Sequence, residues 1–66
     1  MNAMMTIDTL SAALTLSARE LDAARAAYYA APSDETLAAW DSAALAHESA
    51  LAQYTVAVDA LRAALA

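Results

Sequence analysis

The sequence predicts an all-α protein, folded as an antiparallel two-helix hairpin of the coiled-coil type. One residue in three is alanine, the strongest helix former, and glycine is absent. The single proline, Pro32, divides the chain near its middle. On either side of it, apolar residues recur at alternating spacings of three and four, which is the pattern of a seam between two helices. A chain of 66 residues is short, so we expect one helical domain covering 1–66.

The segment around the proline predicts where the helices stop and start. Pro32 lacks a backbone N–H and disfavours the helical conformation at Ala31. Ser33 is a favourable N-cap for a second helix, because its hydroxyl can accept from a free backbone N–H in the first turn. Asp34 and Glu35 then fall in that turn, where carboxylates favour the positive end of the helix dipole.

These signals give approximate bounds for each element. We predict a first helix at about 7–30 with Thr6 as its N-cap, a turn at 31–33, and a second helix at about 34–64. Because the connection is short, the helices should be antiparallel neighbours. Residues 1–5 are expected to fray.

The seam itself is read from the spacing. In the first helix it comprises Ile7, Leu10, Leu14, Ser17, Leu21, Ala24 and Tyr28. In the second it comprises Leu37, Trp40, Ala44, His47, Leu51, Tyr54, Val58, Leu61 and Leu65. Folding the chain at the proline predicts the layers Tyr28–Leu37, Ala24–Trp40, Leu21–Ala44, Ser17–His47, Leu14–Leu51, Leu10–Tyr54 and Ile7–Val58. This register places the one polar seam residue of the first helix against the one polar seam residue of the second.

A hairpin of this size buries little apolar surface, and the sequence leaves apolar residues without a predicted neighbour. Leu61 and Leu65 extend beyond the first helix, so we expect Met4, Met5 or another chain to cover them. Other apolar residues lie off the seam and could form a second face; these are Leu16, Leu45 and Val56. Self-association into a four-helix bundle and docking on a partner both remain open.

Charge excludes some classes of partner. Eight acidic residues against three arginines, with no lysine, give a net charge of -5. Direct binding of nucleic acid is not expected, because neutralising phosphates needs a basic surface. No stretch without charge is longer than Thr9 to Ala18, which is far shorter than the roughly 20 apolar residues that span a bilayer. No positive charge precedes the first apolar stretch, so we expect no secretory signal, no membrane binding and a cytoplasmic protein.

Residues suited to catalysis or metal binding are scarce. Cysteine is absent, and His47 is the only histidine, so the three or four convergent ligands of a metal site are missing. A Ser17–His47 pair could suggest a nucleophile and its base, but a continuous helix offers no oxyanion hole. We therefore expect no enzymatic activity, metal or cofactor. His47 should be a seam residue hydrogen-bonded to Ser17 or to a backbone carbonyl.

The acidic residues show one ordered feature. Asp34, Asp41 and Glu48 recur every seven residues, which places them along one edge of the second helix. One interpretation is a solvated edge that keeps an alanine-rich helix soluble. The other is an anionic surface that binds a basic surface on a partner protein, with Tyr29 as an exposed aromatic anchor beside it.

The chain as a whole, with stretches such as MTIDTLSAALTLSARELDAARAAYYAAPSDETLAAW, resembles the small, acidic, helical proteins of bacteriophages and mobile elements, among them the anti-CRISPR proteins. The resemblance implies a non-enzymatic inhibitor that binds a Cas protein and blocks its nucleic-acid site. The alternative is a structural or scaffolding subunit that acts through helix–helix association and forms a homodimer.

Overall fold

The predicted helical hairpin is confirmed. The computed structural model describes residues 3–66, with side chains from residue 6 onward. Two helices, α1 (Ala3–Ala30) and α2 (Asp34–Leu65), make up nearly all of that chain. They lie side by side in a rod of 49 × 15 × 14 Å. The expected end of α2, at about residue 64, differs from the observed end by one residue.

The start of α1 differs from the prediction. The helix begins at Ala3, so Thr6 lies within it and the assignment of Thr6 as N-cap is wrong. Alanine and methionine are strong helix formers, and nothing before Thr6 breaks a helix, so the helix continues toward the N-terminus. Residues 3–5, which were expected to fray, are part of this helix. Residues 1–2 and the side chains of Met4 and Met5 lie outside the described part, and so does the prediction that a methionine covers the end of α2.

The turn is closed by a reciprocal pair of hydrogen bonds. The backbone N–H of Thr36 donates to the Ser33 hydroxyl oxygen (3.1 Å), and the backbone N–H of Ser33 donates to Thr36 Oγ1 (3.0 Å). The Thr36 hydroxyl also lies 3.0 Å from the carbonyl oxygen of Ala31, to which it donates. This capping box satisfies the start of α2 and ties it to the end of α1, as the N-cap prediction for Ser33 requires.

In α1 the predicted seam is confirmed at every position. All seven residues are half-buried or buried, and Ser17 is the most covered of all, at 8% exposed. Its hydroxyl lies 2.9 Å from His47 Nδ1. The central polar layer of the predicted register is therefore present.

In α2 the seam is rotated from the predicted one. Trp40, His47, Tyr54 and Leu61 are half-buried as expected. The residues that share the interior with them precede the predicted ones by one position, and these half-buried residues are Thr36, Ala43, Ala50 and Ala57. Of the predicted set, Ala44 and Val58 are half-buried, but Leu37 and Leu51 are each 48% exposed and Leu65 is 78% exposed. The placement of Leu37, Leu51 and Leu65 inside the seam is therefore wrong.

The geometry of antiparallel helices explains this rotation. Residues of one layer must lie at the same level, so each step back along α1 must match one step forward along α2. Starting from Ser17–His47, that rule brings Leu21 level with Ala43 and Leu14 level with Ala50. In the predicted layers Leu21–Ala44 and Leu14–Leu51, the residue of α2 lies one position beyond the level of its partner in α1. The rotated seam sets a large side chain against a small one, which lets two helices pack closely.

The interior of the hairpin is only partly shielded from solvent over residues 6–66. Among residues 6–66, no apolar side chain is fully buried. Besides the three leucines at the seam edge, the large apolar side chains left exposed are Leu16, Tyr29, Leu45 and Val56. Leu16, Leu45 and Val56 were expected to lie off the seam, and the structure confirms it.

Candidate functional site

Three aromatic rings form a cluster at the closed end of the hairpin. The ring centroids of Tyr28 and Trp40 are 5.5 Å apart, and those of Tyr29 and Trp40 are 5.7 Å apart. The two tyrosine rings meet edge to face at 5.9 Å. Tyr28 and Trp40 are half-buried, whereas Tyr29 remains 67% exposed. Tyr29 is thus held in place by two ring contacts while it presents most of its surface to solvent, which suits a pre-ordered aromatic anchor.

The predicted acidic edge lies open along α2. Asp34, Asp41 and Glu48 are all exposed, and none of them forms an ion pair within residues 6–66. Successive members are about 10 Å apart along the helix, at 1.5 Å rise per residue. The ion pair that the described residues do contain lies on α1, where Arg25 and Asp22 approach to 3.6 Å with both side chains largely exposed. The edge therefore carries three acidic side chains that pair with no arginine of residues 6–66.

Two shallow depressions adjoin this edge. One is lined by Asp34, Leu37, Ala38 and Asp41, so two apolar side chains and two acidic residues line it together. The second is lined by Leu37, Trp40, Asp41 and Ala44 and continues the first toward the aromatic cluster. A lysine or arginine side chain fits this chemistry, because its methylene stem packs on apolar surface while its charged head meets carboxylates.

The structure brings together most of the residues singled out from the sequence. Tyr29 contacts Trp40, and Trp40 lines one depression with Asp41. Asp34 shares the neighbouring depression with Asp41, whereas Glu48 lies about two helical turns further along. The sequence reasoning missed Leu37, which it assigned to the seam. The requirement that paired seam residues lie at equal levels along the two helices would have excluded Leu37 from the seam.

The Ser17–His47 pair has the geometry of a structural hydrogen bond. The Ser17 hydroxyl donates to the carbonyl oxygen of Leu14, at 2.9 Å. His47 Nδ1 lies at the same distance from Ser17 Oγ, and the tautomer of the ring decides which of these two atoms donates. The pair lies in the seam, as predicted for His47, where it joins the two helices.

The described residues contain neither a cluster of metal-binding side chains nor a helix that could span a membrane. Among those with described side chains, no three histidine or acidic residues come together in a way that could hold a metal ion. Over residues 3–66, neither helix is both long enough and apolar enough to cross a bilayer.

Comparison with protein-family models, with curated proteins and with solved structures finds no match to this chain.

Proposed function

We propose that the chain is a non-enzymatic protein-binding module that docks the acidic edge of α2 on a basic surface of a partner protein. The observation that carries the proposal is the joint exposure of Asp34, Asp41 and Glu48, next to the apolar Leu37 and without an ion pair to any arginine within residues 6–66.

Several properties of the edge suit such an interface. Protein interfaces combine a few apolar or aromatic anchors with a polar rim, and Leu37 and Tyr29 supply anchors next to the carboxylates. Because both anchors sit on helices, binding would order little additional chain. Opposite charge on the partner would speed encounter and select against acidic competitors.

The biological role we propose is inhibition. A basic surface on a protein commonly serves to hold nucleic-acid phosphates, and an acidic module seated there would exclude them. In this proposal Asp34, Asp41 and Glu48 engage lysine or arginine side chains, and Tyr29 fixes the orientation. An anti-CRISPR-like action, in which the blocked site belongs to a Cas protein, is one form of this inhibition.

The test compares three versions of the tagged chain as bait in nuclease-treated bacterial lysate. They are the natural sequence, the edge variant Asp41→Lys/Glu48→Lys, and the control Asp8→Lys/Glu20→Lys. Both variants change the net charge equally at exposed positions, but the control changes residues of α1. Bound proteins are eluted in salt steps and identified.

The proposal predicts that a protein with a nucleic-acid-binding surface is retained by the natural sequence and the control, is lost from the edge variant, and elutes as salt rises. Addition of the chain should also displace nucleic acid from that purified protein. Equal retention by the edge variant would contradict the assignment of the edge. Retention without displacement would contradict the inhibitory role.

A further inference from the structure

The depression that continues toward the aromatic cluster is built by the spacing of residues along α2. Its lining residues are Leu37, Trp40, Asp41 and Ala44. The last three follow Leu37 by three, four and seven positions, so all four side chains lie side by side on one face of the helix. The depression therefore offers apolar surface, an aromatic ring and a carboxylate within the reach of one incoming side chain.

The aromatic part of this depression is held in place by its neighbours. The Trp40 ring lies 5.5 Å from the ring of Tyr28 and 5.7 Å from the ring of Tyr29, measured between centroids. At these distances no cation fits between the rings, so the cluster is not a cage. The part of Trp40 that a ligand can reach is the part that lines the depression beside Asp41. Because the ring is already fixed, binding there would order little besides the incoming side chain.

Charge identifies what kind of side chain this depression suits. Asp41 is exposed and lines both depressions of the edge. Within residues 6–66, no arginine lines either depression, and Arg25 pairs instead with Asp22 on α1. The sequence contains no lysine. A cationic side chain placed beside Asp41 would therefore come from a partner.

Of the two long cationic side chains, the lining favours arginine over lysine. A guanidinium group is planar, so it can stack on an indole ring while two of its N–H groups donate to one carboxylate. A lysine ammonium is a compact, strongly hydrated charge and lacks this planar fork. The methylene stem of arginine also needs apolar surface, which Leu37 supplies because it is 48% exposed.

We infer that this depression is the site for one arginine side chain of the partner protein, with its guanidinium on Trp40 and Asp41 and its stem on Leu37. The inference deepens the proposed function and rests on it, because it names the residue that the acidic edge receives. It also explains how docking on a repeating edge keeps one register. Carboxylates recur every seven residues along the edge, but the chain has a single tryptophan, so only one place offers both a carboxylate and an indole ring.

The experiment uses two capped amino acids as probes, acetyl-arginine amide and acetyl-lysine amide, each with one positive charge on its side chain. Each is titrated into the isotope-labelled chain at constant ionic strength and followed by two-dimensional NMR. Because Trp40 is the only tryptophan, its indole N–H gives one assignable signal inside the depression. We expect the arginine probe to shift this signal and the backbone amide signal of Asp41, and to bind at least about threefold more tightly than the lysine probe.

Two variants locate the effect. Asp41→Asn removes one negative charge from the depression, and the control Asp8→Asn removes one from an exposed position of α1. The preference for the arginine probe should disappear in Asp41→Asn and persist in the control. Three results would each overturn the inference: equal binding of the two probes by the natural chain, a Trp40 signal that neither probe shifts, or a preference that survives Asp41→Asn.

The probes need no partner, so this inference and the proposed function can fail separately. A lysate protein that is lost from the edge variant, combined with equal binding of the two probes, would refute the arginine site and leave the proposed function standing. An arginine preference that depends on Asp41, combined with equal retention of the lysate protein by the edge variant, would support the arginine site and refute the proposed function.

Discussion

The register of the hairpin depends on the Ser17–His47 layer, and a double-mutant cycle measures it. The variants are Ser17→Ala, His47→Leu and the combination of both. Each single change leaves one polar group of the layer without its partner, whereas the double change makes the layer apolar. Ser17 is only 8% exposed and its hydroxyl lies 2.9 Å from the ring nitrogen, so water cannot easily replace the lost partner. We expect a coupling free energy of about 0.5–1.5 kcal/mol.

The assay is urea unfolding followed by far-ultraviolet circular dichroism, at one fixed chain concentration. The cycle cancels the higher helix propensity of alanine, which would otherwise mask part of the effect of Ser17→Ala. For a domain of this size, about 1 kcal/mol corresponds to a shift of about 4–8 °C in Tm. The control cycle pairs His47→Leu with Ser11→Ala, because Ser11 is exposed on α1. The control should be additive, and a Ser17–His47 coupling as small as that of the control would refute the register.

Two further stability predictions follow from the fold. Ser33→Ala should lower the free energy of unfolding by about 1 kcal/mol, because it removes the acceptor of the Thr36 backbone N–H. The control Ser49→Ala, at an exposed position within α2, should not lower it. Equal losses in urea titrations would contradict the capping box. Leu14→Ala should lower the free energy of unfolding by about 2–3 kcal/mol. Leu51→Ala should lower it by only about 1 kcal/mol, because Leu51 is 48% exposed at the edge of the seam. Equal losses in the same titrations would show that α2 is not rotated as described.

Much of this fold could be predicted from local signals. Pro32 and Ser33 set the turn, because a missing N–H and a capping hydroxyl act on their immediate neighbours. All seven residues that the alternating spacing predicted for the α1 seam are half-buried or buried, and so are six of the nine predicted for α2. The pairing of Ser17 with His47 followed from matching the one polar position of each seam.

The errors have equally specific causes. In α2, either Ala50 or Leu51 could occupy the seam layer that follows His47. Hydrophobicity alone favours Leu51. The requirement of equal levels overrides that preference and leaves the leucine at the edge. The start of α1 was missed because Thr6 was interpreted as an N-cap, although the alanine and methionine residues before it are strong helix formers.

In the candidate site, too, some features could be predicted from the spacing of residues and others could not. The exposure of Asp34, Asp41 and Glu48 could be predicted from their spacing. The apolar surface beside them could not, because it includes Leu37, a residue that the sequence favours as part of the seam. Likewise, the ring contacts that hold Tyr29 depend on how far the Trp40 side chain reaches toward the turn, which spacing does not determine.

The central claim is that the acidic edge of α2 is the binding surface, and the most direct test is the salt dependence of affinity for a purified partner. Titration calorimetry at several salt concentrations would compare the natural chain with Asp41→Lys/Glu48→Lys and with the control Asp8→Lys/Glu20→Lys. We predict at least about tenfold weaker binding for the edge variant, equivalent to about 1.4 kcal/mol, together with a smaller salt dependence. The control should retain both the affinity and the salt dependence of the natural chain. Equal losses in the two variants would show that only net charge matters and would contradict the claim.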